Sequence, residues 1–333
     1  MNTLQNTAKT LLASGKGILA ADESPSTNKK RFDKYGIPDT EDMRRKWREL
    51  LFTTPDIEKY LSGIILYEET LGQETDSGML FPEFLAGRGI IPGIKVDQKT
   101  EAFGKDEEVT KGLDGLAERL SEYAHMGAQF TKWRAVIRIG EGTPSAECVA
   151  ENARRMAEYA RLSQQAGLVP IVEPEVLLDG NHSFARCEEV VANTLKVTFD
   201  AVHKAGVALD SLLLKTSMVL PGKESGEKRS PQEVAEATVR VLMAGVPKEV
   251  AGIVFLSGGQ TPQEATERLN EIVKTAQAKS APWPLTFSYS RALQDPVMAA
   301  WQGIEENTAK AQEVFKRRIS ETAAASRGEF SAE

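Results

Sequence analysis

Eight short apolar runs recur along the 333 residues at intervals of roughly 30 to 45 positions, and no other feature restricts the fold as tightly. They read GILAADES from Gly17, SGIILYEET from Ser62, IIPGIKVD from Ile90 and AQFTKWRAVIRI from Ala128. LVPIVEPEV from Leu168, SLLLKTSMV from Ser211, GIVFLSGGQ from Gly252 and PLTFSYSRAL from Pro284 complete the set. Apolar runs without alternation are the mark of parallel strands covered on both faces. Each interval also leaves room for the crossover helix that parallel pairing needs. Eight such units predict an α/β protein, a (β/α)8 TIM barrel over residues 1–321 as one domain.

The intervening segments carry helix grammar. Ser230, Pro231 and Glu233 form a capping-box pattern, and Thr261, Pro262 and Glu264 repeat it. Long amphipathic stretches end at Gly167 and Gly206, as helices returning to a strand often do. Beyond Glu321 the apolar periodicity fades, which predicts a loose tail over 322–333. The competing doubly wound sheet needs a glycine-rich nucleotide turn after an early strand. None is present, and the SGKG at Ser14 precedes a strand instead of following one.

Composition narrows the function. With 41 Lys and Arg against 48 Asp and Glu, the net charge of -7 disfavours a nucleic-acid partner. No run reaches the length of a membrane span, and the N-terminus lacks a signal peptide's apolar middle, so no membrane partner and a cytoplasmic location are expected. Two cysteines, Cys148 and Cys187, and three scattered histidines, His125, His182 and His203, show no ligand spacing. No metal or cofactor is expected; of the histidines, only His182 falls in a loop where it can approach a site.

Catalytic groups of such barrels sit at the C-terminal strand ends. Those ends carry Asp22, Glu23 and Ser24; Glu68 and Glu69; Lys95 and Asp97; Lys132 and Arg134; Glu173 and Glu175; Lys215; Ser257, Gly258 and Gly259; and Ser288, Ser290 and Arg291. Strand residues two apart share a face, so Lys132 with Arg134 and Glu173 with Glu175 are same-face pairs. Facing inward, Lys95, Lys132, Arg134, Lys215 and Arg291 would outnumber Asp22, Glu173 and Glu175. An ion-pair lattice leaves that surplus unexplained, whereas a phosphorylated ligand would balance it. Loops after the last two strands of such barrels often bind phosphate, which points to Ser257, Gly258, Ser288 and Arg291.

Lys215 lies inside SLLLKTSMVL, where a strand ending on a solvated lysine is the ordinary reading. The alternative is a nucleophilic amine, which must lose its proton to attack a carbonyl. A second ammonium such as Lys132 at about 5 Å would add roughly 3 kcal/mol to the cost of charging it at an effective dielectric near 20. That would favour carbon-carbon cleavage through an iminium. Two readings stay open beside it: a magnesium-assisted lyase or isomerase using Asp22, Glu173 and Glu175, and a non-catalytic scaffold that binds sugar phosphates.

ILAADES, GIKVD, KWR, IVEPE, LLLKTSMV, FLSGGQ and TFSYSRALQ follow one another in an order that resembles the class I, Schiff-base fructose-1,6-bisphosphate aldolases, up to about residue 317. The resemblance implies reversible cleavage of fructose 1,6-bisphosphate, without metal, to dihydroxyacetone phosphate and glyceraldehyde 3-phosphate, and usually a homotetramer. It implies Lys215 as the Schiff-base lysine, Glu173 as the acid/base of carbinolamine dehydration and Asp22 as the carboxylate serving the C4 hydroxyl. Lys132 would aid intermediate formation with Glu175 as its supporting carboxylate. Ser257, Gly258 and Arg291 would hold one phosphate, and Ser24, Lys95 and Arg134 the other. Departures are Thr216 and Ser217 where many relatives have Pro-Asn, Ser290 where they have glycine, and an ending GEFSAE without the tail tyrosine of well-studied members.

Overall fold

Each apolar run becomes a strand in the computed structural model, which describes residues 3–331. The strands are β1 (Gly17–Ala21), β2 (Leu61–Leu66), β3 (Ile91–Lys95) and β4 (Phe130–Ile137). They continue with β5 (Val169–Val176), β6 (Leu213–Thr216), β7 (Gly252–Phe255) and β8 (Leu285–Tyr289). All neighbours pair in parallel, and β8 closes on β1, giving the expected barrel. The register sets Lys95 level with Lys132, and Arg134 level with Glu173.

Side chains divide the strands into two apolar bodies. Ile18, Ile65, Phe130, Ile171, Leu213 and Val254 fill the lower barrel interior and meet Leu11 and Leu12 from the first helix, Thr3–Leu11, and the turn after it. A larger cluster joins the outer strand faces to the surrounding helices. The capping boxes form as expected: Ser230 and Glu233 exchange bonds at the start of Pro231–Gly245, and Thr261 and Glu264 at the start of Pro262–Ala278. Cys148 and Cys187 are buried, unpaired helix residues.

Two features differ from the expectation. Thr100–Ala102 and Glu108–Thr110 form an antiparallel hairpin in the connection after β3, and its residues Thr100 and Glu108 reach the barrel mouth. At the other end, the last helix runs Thr308–Ala325 past the Glu321 boundary. Thr322, Ala323 and Ala325 are buried there, so a face of small residues continues the helix although its hydropathy fades. Phe330 is partly buried, and its backbone N–H donates to Asn270 Oδ1 at 2.9 Å. Ala332 and Glu333 lie outside the described residues.

Candidate active site

The C-terminal strand ends enclose a cavity of about 680 Å³. All twelve residues singled out from the sequence line it: Asp22, Ser24, Lys95, Lys132, Arg134, Glu173, Glu175, Lys215, Ser257, Gly258, Ser288 and Arg291. Among the other acids and histidines weighed, Glu68 and Asp97 join them, whereas Glu69 turns to Arg44 at 2.6 Å and His182 lies buried away from the cavity.

Lys215 sits two residues above the apolar Leu213 on the same strand and is 4 % exposed, so its amine is not a solvated strand end. Its Nζ lies 3.0 Å from Glu173 Oε1. The other oxygen of Glu173 is 3.3 Å from Lys132 Nζ, which also pairs with Asp22 at 2.7 Å and with Asp97 at 4.0 Å. One carboxylate therefore bridges the two lysine nitrogens. The sequence suggests like charges pressing on Lys215; the structure interposes Glu173, which stands level with Arg134 and reaches both lysines with its two carboxylate oxygens.

These contacts set the protonation states of the neighbours. Burial pushes the Asp22 carboxyl up, but Lys132 and then Lys215 more than offset it and hold the group well below the ordinary carboxylate range. Glu173 is likewise lowered: burial opposes, while Lys215, Lys132 and Arg134 prevail. Burial disfavours charge on Lys132, yet Asp22, Glu173 and Asp97 keep its ammonium above the usual lysine range. At neutral pH the layer holds two ionised carboxylates around a protonated Lys132.

Glu175 departs from the supporting role that the resemblance implies. Its carboxylate pairs with Arg134, not with Lys132. The register explains this: Glu175 stands level with Val136, two residues above Glu173 and beyond the lysine layer. Its charge raises the Arg134 guanidinium above its ordinary range, opposing the effect of burial. Lys95 donates to the Asp97 carbonyl at 2.7 Å and pairs with its carboxylate at 2.6 Å.

At the β7–β8 side, Gly259 adopts a φ of +78°, a conformation that L side chains rarely adopt. A side chain at Gly258 would press on Glu175 Oε1 and Leu256 at 3.0 Å, with Arg291 beyond at 3.7 Å. Among the described residues Ser288 Oγ is buried without a hydrogen-bond partner, and the exposed Arg291 makes no hydrogen bond or ion pair. A free guanidinium, an orphan hydroxyl and a glycine backbone together suit a dianion. On the β1–β3 side, Ser24 Oγ lies 3.0 Å from Ser26 Oγ and 3.2 Å from Thr27 Oγ1, facing Lys95 across the cavity lining. Ser26, Thr27, Tyr67 and Arg119 are lining residues that the sequence reading missed. The hydroxyl cluster in ESPST was a usable signal for the first two; Arg119 arrives from a helix that no strand-end pattern marks.

The cavity lining holds as many carboxylates as basic side chains, so the expected surplus of positive charge is absent from the cavity as a whole: Glu23, Glu68, Asp97 and Glu108 offset it. Asp22 and Glu175 are turned to a lysine and an arginine, and among the described residues no three acid, histidine or cysteine side chains are grouped to hold a metal ion.

A parallel barrel with an amine–carboxylate couple between two anion-ready ends is built as a lyase for phosphorylated carbonyl compounds. Comparison with known proteins specifies it. The family described as fructose-bisphosphate aldolase class-I matches residues 3–333. A protein of Xanthomonas campestris named probable fructose-bisphosphate aldolase class 1 is 48% identical over 98% of both chains. A cytosolic fructose-bisphosphate aldolase 4 of Arabidopsis thaliana is 49% identical over 95% of this chain and 80% of its own. The solved fructose-bisphosphate aldolase of Plasmodium falciparum, crystallised with TRAP and a small-molecule inhibitor, superposes with a TM-score of 0.96. It is 45% identical and covers 99% of this chain and 96% of its own. The chain belongs to the class I fructose-bisphosphate aldolase family. It is a lyase that reversibly cleaves fructose 1,6-bisphosphate to dihydroxyacetone phosphate and glyceraldehyde 3-phosphate through the family's lysine Schiff base.

Proposed function

We propose that Lys215 is the Schiff-base nucleophile and that the charged layer around it divides the remaining work. The observation that carries this reading is the bridge of Glu173 between Lys215 and Lys132. Lys215 adds as the free amine to the C2 carbonyl of the open-chain ketose, and Glu173 takes the amine proton. The C2 oxyanion takes a proton from solvent to become the carbinolamine hydroxyl, and Glu173 then returns the amine proton to that hydroxyl, which leaves as water and gives the iminium. Asp22 then removes the C4 hydroxyl proton; the C3–C4 bond breaks, its electron pair enters the enamine, and glyceraldehyde 3-phosphate departs. Protonation at C3 and addition of water release dihydroxyacetone phosphate and the amine. Lys132, fixed by Asp22 and Glu173, offers positive charge to the oxygen that becomes anionic on C2.

Ser257, Gly258, Ser288 and Arg291 hold one substrate phosphate, a role supported by the unpartnered Ser288 hydroxyl and Arg291 guanidinium. Ser24 and Lys95 hold the other, with Arg134, oriented by Glu175, at its edge. Single-turnover kinetics separate the carboxylates. Glu173→Gln is expected to slow appearance of the borohydride-trappable imine, whereas Asp22→Asn traps normally but fails to release aldehyde. Equal slowing of both steps by both variants would contradict the division. The reading extends to a cytoplasmic homotetramer, supported by the cytosolic names of the plant relatives and by the family's habit of assembly; sedimentation at working concentration measures the latter.

A further inference from the structure

Among the described residues Arg291 has no hydrogen-bond or ion-pair partner and feels Asp295 at longer range, so its direction depends chiefly on the backbone that carries it. That backbone is Ser290, the turn residue between β8 and the helix Arg291–Trp301. Its hydroxyl is anchored on three sides. It donates to Glu23 Oε1 at 2.5 Å and accepts from Arg31 Nη2 at 3.0 Å and Gln294 Nε2 at 3.2 Å.

The anchor is itself rigid. Glu23 Oε1 also receives Arg31 Nη1 at 2.7 Å and Gln294 at 2.9 Å, and its second oxygen pairs with Arg48 at 2.7 Å. Arg48 is 1% exposed and Gln294 fully buried. Glu23 follows Asp22 directly on the end of β1, so the serine hydroxyl ties the wall that bears the catalytic carboxylate to the turn that launches Arg291. Glu23 thus engages two guanidinium groups, Arg31 and Arg48, at 2.7 Å each.

We infer that Ser290 is the positioning residue of the Arg291 phosphate end: its hydroxyl, clamped by Glu23 and Arg31, fixes the direction from which Arg291 meets the substrate phosphate. This rests on the phosphate role proposed for Arg291. An alanine or glycine at 290 leaves the Glu23–Arg31 and Glu23–Arg48 pairs intact but frees the turn. The effect therefore belongs to substrate capture, not to the chemistry at Lys215.

The test is a set of variants, Ser290→Ala, Ser290→Thr and Arg291→Ala, assayed for KM, kcat, competitive inhibition by inorganic phosphate and thermal midpoint. Ser290→Ala is expected to raise both KM for fructose 1,6-bisphosphate and the phosphate inhibition constant about tenfold, the scale of one charge-assisted hydrogen bond, with kcat lowered less than about twofold. Ser290→Thr keeps the hydroxyl that Glu23 and Arg31 clamp and is expected to stay within about twofold of the parent in both constants. Unchanged constants in Ser290→Ala, while Arg291→Ala raises both, would overturn the positioning role and leave the phosphate site standing. Unchanged constants in Arg291→Ala would remove the phosphate site instead. A parallel loss of kcat and thermal midpoint in Ser290→Ala, with the phosphate constant unmoved, would make the serine a structural residue only and overturn the inference.

Discussion

The two halves of the barrel interior are made by the same strands and obey opposite rules. Leu213 and Ile171 fill the lower half against Phe130 and Val254, in an apolar layer with nothing to ionise. Two residues further on, β6 and β5 present Lys215 and Glu173, and β4 presents Lys132, all buried and all ionisable. The lower layer stabilises by removing apolar surface from water, whereas the upper layer stands only because each charge has a partner within about a hydrogen bond's reach. A step of two along a strand thus moves the chain from folding to chemistry.

Lys215→Met breaks the comparison most severely, making the upper layer resemble the lower. Cleavage activity is expected to fall by more than about 10⁴-fold, because no other amine forms the iminium. The urea midpoint moves little, since Glu173 keeps Lys132. Steady-state assays and equilibrium unfolding of the same preparation check both halves of that statement.

Lys132→Met is expected to lower kcat by about 10²- to 10³-fold, as the cation shared by Asp22 and Glu173 disappears. Unlike the first variant, it leaves Asp22 buried without its nearest cation, so it also destabilises, by about 3 kcal/mol or more. Leu213→Ala reverses the pattern. It is expected to cost 2 to 5 kcal/mol, on the order measured for buried leucines, while kcat of the folded enzyme at 25 °C stays within about threefold. If Leu213→Ala abolished catalysis without lowering the thermal midpoint, the two layers would not be separable.

The smallest effect is the pH dependence of stability. Asp22 and Glu173 have folded-state pKa values below their ordinary 3.8 and 4.5. Their contribution is therefore complete above about pH 4.5 and is lost as pH falls below that toward the folded values. Urea midpoints measured from pH 7 to pH 3.5 should be level until about pH 4.5 and then decline. The decline should be shallower in Asp22→Asn and unchanged in slope in Leu213→Ala.

Much of this layering was legible in the sequence. The apolar runs exposed the strands, and the residues at their ends included the twelve singled out, all of which line the cavity, because a parallel barrel directs strand C-termini to one mouth. The choice of ionic partners was not legible. Whether Glu175 meets Lys132 or Arg134 depends on inter-strand register, which no property of a single strand encodes. The clamp on Ser290 escaped for a related reason: Arg31 and Arg48 reach Glu23 from two helices whose approach is a tertiary fact. The end of the last helix was missed because alanine and threonine bury a face without raising hydropathy.

Catalysis through Lys215 requires that its nitrogen become covalently joined to the substrate carbonyl. Reduction with borohydride in the presence of dihydroxyacetone phosphate, followed by peptide mass spectrometry, reads that bond directly. The adduct is expected on the peptide containing Lys215 and absent in Lys215→Met. An adduct on Lys132, or turnover with no trappable adduct, would contradict the account.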